Sequence, residues 1–406
     1  MSTQTTSAQK INIEVSFPAP VAQIYYLVST RSGWLDWFAD KGIGNVDANG
    51  VLQMYHPKLG SHLTFVFQEL VRDEGVRFNT LDTETLETSE VQIDLTPDGN
   101  GTLLTVSQTG LGDEDAARWQ GIWQETLDSL KAIIETGRDP RLWNRPFLGV
   151  TVEGWLSPES AAEHGLEIES GMLLNSVFEG KGAEQAGIQA GDVILWLAGI
   201  EIADYESLLE VYKEHKAGDT ISVVYWHEGE QFESELTLSS YPVPDVPATT
   251  QDMADTLAAF FHKANKKIDH LLAEQSEAQT SYRPAAGEWS AKEVIAHLIA
   301  SESDSLVWLG SYIAGRETYP YISGVPARIK MITSMHPTMK ALLKKLTQTQ
   351  NELVAMVREI PAEMAGRKTS MIRLAFAYSF DISLHYRDHL NQLKEALEMA
   401  SDIRPS

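Results

Sequence analysis

The stretch EWSAKEVIAHLIASESDSLVWL (288–309) reads as an amphipathic helix entered through a capped N-terminus. Ser290 is the candidate N-cap, and Glu293, three residues on, completes a capping box, which gives Glu293 a structural role. Val294, Leu298 and Ala300 make the surroundings apolar, and His297 stands among them. In HYRDHLNQL (385–393), His385 and His389 are four apart, so on a helix both rings project from one face. Two imidazoles at this spacing can share one cation if another helix supplies a third ligand, and His297 is the natural donor. Three neutral nitrogens suit Zn²⁺, Ni²⁺ or Fe²⁺ and leave a coordination position for water or substrate.

Around these two stretches the periodicity is helical. Met253, Leu257, Phe260, Phe261, Ala264, Ile268, Leu271 and Leu272 trace one apolar face. The spacing predicts a third helix from Met335 to Ile360, with Leu342, Leu343, Leu346, Leu353 and Val357 as its stripe, and a fourth from Thr369-Ser370 to about Met399. Four long helices make a bundle, and facing helices of bundles are where metal sites are built. With EWSAKEVIAHL followed by HYRDHLNQL, residues 251–406 resemble the DinB family of helical bundles, which includes thiol-dependent transferases and isomerases. The resemblance implies that His297, His385 and His389 are the metal ligands and that His262, His270 and His336 are not. Asp304 and Asp381 lie on the helix faces of His297 and His385 and are candidates for orienting an imidazole through its second nitrogen; Asp388 faces elsewhere.

Two proline-bearing stretches, GRDPRLWNRP (137–146) and SSYPVPDVPATT (239–250), mark boundaries. They divide the chain into residues 1–140, 141–240, a linker at 241–250, and 251–406. In the second segment, Gly149 of Phe147-Leu148-Gly149-Val150 lets backbone N–H groups approach a ligand closely enough to receive a chain-terminal carboxylate. The strand that follows can pair with an extended peptide, and a helix from about Tyr205 would wall the groove with Leu208, Leu209 and Tyr212. RPFLGVTV, GKGAEQAGIQAGDVILWLAG and the helix-bearing stretch from Asp204 resemble a PDZ domain of the type attached to HtrA-like proteases, a β-barrel-like fold. This resemblance implies a C-terminal peptide as partner. Arg145 matches the basic residue that often precedes the loop, whereas Pro146 stands where a glycine is common.

The first segment alternates apolar and polar positions at Ile11-Ile13-Val15-Phe17, Leu63-Phe65-Phe67 and Leu103-Thr105-Ser107, the pattern of half-buried strands. Asp98-Gly99-Asn100-Gly101 is a hairpin turn, and Ala116–Thr136 repeats Trp119, Trp123, Leu127, Leu130 and Ile134 at helical spacing. A long helix after an antiparallel sheet implies a curved sheet wrapped on it. FPAP, VAQIYYLV, the Trp34/Trp37 pair, GNGTLLTVSQTGL and WQETLDSLKAIIETG resemble the START-like SRPBCC superfamily, closest to the branch of homologues of the activator of a heat-shock-protein ATPase. The implied helix-grip fold often encloses a cavity for a small apolar ligand. Trp34, Trp37, Trp119 and Trp123 either line such a cup or pack as core.

The expected class is therefore multidomain α+β: a helix-grip START-like domain, a PDZ domain and an all-α DinB-like four-helix bundle. The 406 residues suffice for such a division. The net charge of −25 argues against binding nucleic acid through its phosphates, although the part from 241 onward is nearly balanced at 18 basic and 19 acidic side chains. No apolar run approaches a membrane span, MSTQTTSAQK carries no export signal, and the chain has no cysteine, which together suggest the cytoplasm. Without cysteine, any thiol in a reaction must arrive as a cosubstrate. The expected function is a multidomain adaptor with a peptide groove, a ligand cup and a metal-stabilised bundle; the alternative is a metal-dependent thiol transferase or hydrolase acting at the three histidines.

Overall fold

The computed structural model describes residues 9–401 apart from 40, 57–60, 83–85, 87, 144, 164, 165, 167, 286 and 317–324. The chain runs β1 (Gln9–Phe17), α1 (Val21–Ser29), α2 (Arg31–Trp37), β2 (Lys41–Gly44), β3 (Val51–His56), β4 (Ser61–Val71), β5 (Gly75–Asp82), β6 (Thr88–Asp98), β7 (Gly101–Leu111) and α3 (Asp113–Thr136). These strands form one antiparallel sheet in the order β1-β7-β6-β5-β4-β3-β2. Alternation turns Ile11, Ile13, Val15 and Phe17 of β1, and Val91, Ile93 and Leu95 of β6, into the core. There they meet Trp119, Trp123, Leu127 and Leu130 of α3. Acidic residues crowd the first turn of α3, where they complement the helix dipole. Its end is capped by Gly137 in the left-handed conformation, whose N–H donates to the Ile133 carbonyl at 2.8 Å.

After a helical turn, α4 (Pro140–Trp143), come β8 (Pro146–Phe147), β9 (Val150–Leu156), α5 (Pro158–Glu163), β10 (Gly171–Val177), α6 (Gly182–Gln185), β11 (Val193–Leu197), β12 (Ile200–Glu201), α7 (Tyr205–Glu214), β13 (Thr220–His227), β14 (Glu230–Thr237) and β15 (Ser239–Ser240). The main sheet runs β14-β13-β11-β10-β9, which leaves β9 at an edge, and β15 pairs with β8. Asp204 and Ser207 form a capping box at the start of α7.

The last third is helical: α8 (Thr250–Leu272), α9 (Glu277–Thr280), α10 (Ala291–Ile313), α11 (Val325–Met335), α12 (Met339–Arg358), α13 (Ala362–Ala365), α14 (Lys368–Ala375) and α15 (Ile382–Met399). The expected Ser290–Glu293 capping box is present. Two boundaries differ from the expectation. The third helix does not begin at Met335, because Pro337 lacks an N–H and restricts the residue before it; α11 ends at Met335, and α12 starts afresh with Thr338 as N-cap. The fourth is not a uniform α-helix, since α14 passes into α15 through a π-helical segment, Phe376–Asp381. No helix among the described residues is long and apolar enough to cross a membrane.

Candidate metal centre and peptide groove

His297 projects from the second turn of α10, and His385 and His389 project from one face of α15. The Nε2 atoms of His297 and His385 are 3.0 Å apart. Ring centroids lie 4.4 Å apart for His297–His389 and 4.5 Å apart for His385–His389. One nitrogen from each residue lies within 4.8 Å of the other two, and all three side chains are half-buried. At a metal–nitrogen distance of about 2.05 Å, two imidazoles on one ion would stand about 2.9 Å apart at a right angle and about 3.3 Å apart at a tetrahedral angle. The observed separation lies in this range, so the donor set fits a divalent ion.

Electrostatics point the same way. Burial, reinforced by the neighbouring imidazoles, lowers His297 to about 4 and His385 to about 3. His389 is also lowered, again chiefly by burial. The imidazoles of His297 and His385 are therefore neutral at pH 7, with lone pairs available to a cation. His389 Nδ1 is 2.9 Å from Gln392 Oε1. Because an amide oxygen only accepts, Nδ1 carries the proton and Nε2 is left as the ligating atom. Nδ1 of His297 is buried and has no hydrogen-bond partner among the described residues.

Sequence reasoning missed Gln392, although its position three residues after His389 was a readable signal. It also missed Trp289, whose ring stacks on His389 and lies 4.8 Å from that of His297. Glu302 was passed over too: 1% exposed and beside the Tyr386 phenol, its carboxyl is pushed up to about 8 by burial. It is therefore a neutral group at pH 7, not a ready base.

The two proposed orienting aspartates do other things. Asp304 is held in a two-pronged pair by Arg328 at 2.7 and 2.6 Å, so it does not orient His297. Asp381, at the end of the π segment, makes no hydrogen bond to His385 among the described residues, and desolvation pushes its carboxyl up to about 6. Asp388 does face elsewhere, towards Asn175 of the second domain at 3.3 Å. His262 and His270 are exposed on α8, and His336 lies between α11 and α12; none joins the cluster.

In the second domain, Phe147 of β8, Leu148 after it and Val150 at the start of β9 are buried, and Leu208 and Leu209 are buried on α7. Gly149 has φ +93°, and a Cβ there would fall 2.4 Å from Lys181 Cβ, so the loop requires glycine. Tyr212 lies under the loop, accepting a backbone hydrogen bond from Leu148, and burial pushes its hydroxyl up to about 12. The Arg145 guanidinium is turned onto the rings of Tyr241 and Tyr212, 5.2 and 6.0 Å from their centroids.

In the first domain Trp34, Trp37 and Trp123 are fully buried and Trp119 is 3% exposed. The indole N–H groups of three of them are spent within the protein: Trp34 on the Val28 carbonyl, Trp37 on that of Leu27, and Trp123 on Gln108 Oε1 at 2.7 Å. Trp34 also packs edge-on against Phe38, Phe65 and Phe78. In this conformation the rings fill the core between sheet and helix.

Three family models match the chain. Residues 18–135 match the Activator of Hsp90 ATPase homolog 1-like protein family, residues 146–238 the PDZ domain and residues 261–393 the DinB superfamily. The protein is thus a three-domain α+β chain. Among curated proteins it is 28% identical over 154 residues to a probable periplasmic serine endoprotease DegP-like of Pseudomonas fulva, covering 38% of this chain and 30% of that protein. It is 30% identical over 121 residues to serine protease Do-like HtrA of Bacillus subtilis, covering 27% and 26%. The chain thus spans less than a third of the length of these relatives. Among solved structures it resembles the Aha1 dimer from Colwellia psychrerythraea at 19% identity, with a TM-score of 0.29 over 32% of this chain and 98% of that one. It also resembles CalU16 from Micromonospora echinospora at 20% identity, with a TM-score of 0.28 over 32% and 78%.

Proposed function

We propose that the protein is a peptide-recruited metal protein, in which the PDZ groove captures the C-terminal segment of a partner and the bundle holds one divalent ion on His297, His385 and His389. The carrying observation is the convergence of three half-buried imidazoles from two helices, with no carboxylate completing the group among the described residues. Three protein ligands are the pattern of a centre that keeps a position open, whereas a closed structural site takes four. This favours the metal-dependent enzyme, a transferase or hydrolase, over an adaptor whose metal only braces the bundle. A divalent ion so held supplies Lewis acidity towards a bound water or thiol. This chain's own part is to present neutral ring nitrogens, to fix the His389 tautomer through Gln392 and to cover one side with Trp289.

The peptide half rests on the edge position of β9, which leaves a strand able to accept another, beside a loop whose close packing on Lys181 requires Gly149. Elemental analysis of purified protein tests the first half: about one divalent ion per chain is expected, and a metal-free protein that takes up no Zn²⁺, Ni²⁺ or Fe²⁺ would refute it. A library of free C-terminal peptides tests the second. Binding with no preference at the terminal residue, or equal binding of amidated peptides, would count against a carboxylate-reading groove.

A further inference from the structure

Asp36 sits on α2 of the first domain with its side chain fully buried, and the bundle supplies partners for it. The Tyr312 hydroxyl donates to both carboxylate oxygens, at 3.1 and 3.2 Å. Arg373 Nη1 donates at 3.3 Å and Ser370 Oγ at 3.5 Å. Arg141 holds the main-chain carbonyl of the same residue at 2.8 Å. A buried carboxylate so paired is costly to displace, because removing its partners leaves an uncompensated charge.

The placement of those partners matters more than their number. Tyr312 is in the last turn of α10, the helix that begins with His297. Ser370 and Arg373 are on α14, which continues through the π segment into α15 with His385 and His389. One carboxylate from another domain therefore ties together, at their far ends, the two helices that bear the three histidines.

The helical phases agree. At roughly 100° per residue, His297 and Tyr312 lie within about 60° of each other around α10. A regular α-helix would set Arg373 and His385 about 120° apart. The π segment, with its wider turn, absorbs roughly one extra residue and reduces that angle to about 20°. The helix can then meet Asp36 with Arg373 and meet His297 with His385 on one face.

We propose that Asp36 is a positioning residue for the three-histidine centre, acting through Tyr312 and Arg373 to set the register between α10 and the helix of His385 and His389. The first domain thereby becomes part of the metal site's scaffold. This inference rests on the metal reading above.

The test uses the full-length protein with Co²⁺ as probe, reading both affinity and the visible d–d absorption. Asp36→Asn keeps the side chain's size and removes its charge. Its expected effect is a roughly 2- to 30-fold loss of Co²⁺ affinity, the scale for residues coupled to a site they do not touch, with an altered d–d band. Lys368→Ala cuts a different tie between the same domains, the Lys368 Nζ bond to the Glu135 carbonyl, and should leave both readings unchanged. Wild-type affinity and spectrum in Asp36→Asn would overturn the proposal. So would an equal loss in Lys368→Ala, which would mean that general adhesion between domains is responsible. If circular dichroism shows that Asp36→Asn does not fold, Tyr312→Phe, which deletes only the donor hydroxyl, is held to the same two readings. A wild-type protein that binds no Co²⁺ would overturn the metal reading and this inference with it, an outcome distinct from the two above.

Discussion

Replacing His385 with alanine probes the centre most directly, since its Nε2 lies 3.0 Å from that of His297. Sites with four protein ligands bind Zn²⁺ with roughly 10–16 kcal/mol of apparent free energy, or about 3 kcal/mol per ligand. At about 1.4 kcal/mol per tenfold, His385→Ala should weaken Zn²⁺ binding by roughly two powers of ten, and His385→Ala/His389→Ala by about four. The imidazoles of His297 and His385 are already neutral in the folded protein at pH 7, so almost none of this loss should be recoverable by raising the pH. The assay is competition for Zn²⁺ against a chromophoric chelator, with circular dichroism to confirm that α15 survives. The variant leaves α15's apolar contacts through Tyr386 and Leu393 in place, so the helix should persist. A His385→Ala protein that competes for Zn²⁺ as well as the wild type would refute the reasoning, because the ion would then be held elsewhere.

Two further expectations concern stability and the groove. In the presence of chelator, stability should fall as pH drops from about 6.5 towards 4. The depressed pKa values of His297 and His385 mean that the unfolded chain binds more protons across that window, so stability rises with pH there. Chemical denaturation at a series of pH values should give a flatter profile for His297→Ala/His385→Ala, and superimposable profiles would contradict the shifts. In the second domain, Gly149→Ala places a methyl against Lys181 and forces a non-glycine residue to φ +93°, a region that costs about 1–2 kcal/mol. The expected result is a lower PDZ melting temperature together with weaker capture of the best library peptide. Unchanged values for both would show that the loop does not depend on its glycine.

The three-histidine cluster was legible in part. His385 and His389 declare themselves because their four-residue spacing puts them on one face of any helix, whatever surrounds it. Ser290 with Glu293, and Asp204 with Ser207, are equally local, each pairing a side chain with a backbone N–H three residues away. Pro337 was a readable stop signal between two helices that the apolar stripe overrode. The π segment was not readable, since a single widened turn hardly disturbs the apolar periodicity of the helix around it.

What the sequence by itself determined is whatever is encoded within a few residues: strand alternation, helix faces, caps, and the glycine-dependent PDZ loop. Only the tertiary structure decided the rest. It brought His297 to His385 across 88 residues of chain, and Tyr312 to Asp36 across 276. It turned Arg145 onto tyrosine rings, gave Asp304 to Arg328, and closed the four tryptophans into a packed core. The physical reason is the same in each case. Local periodicity fixes which face a side chain occupies, but the partner that meets that face is chosen by how whole elements pack, and no short window of sequence contains that choice.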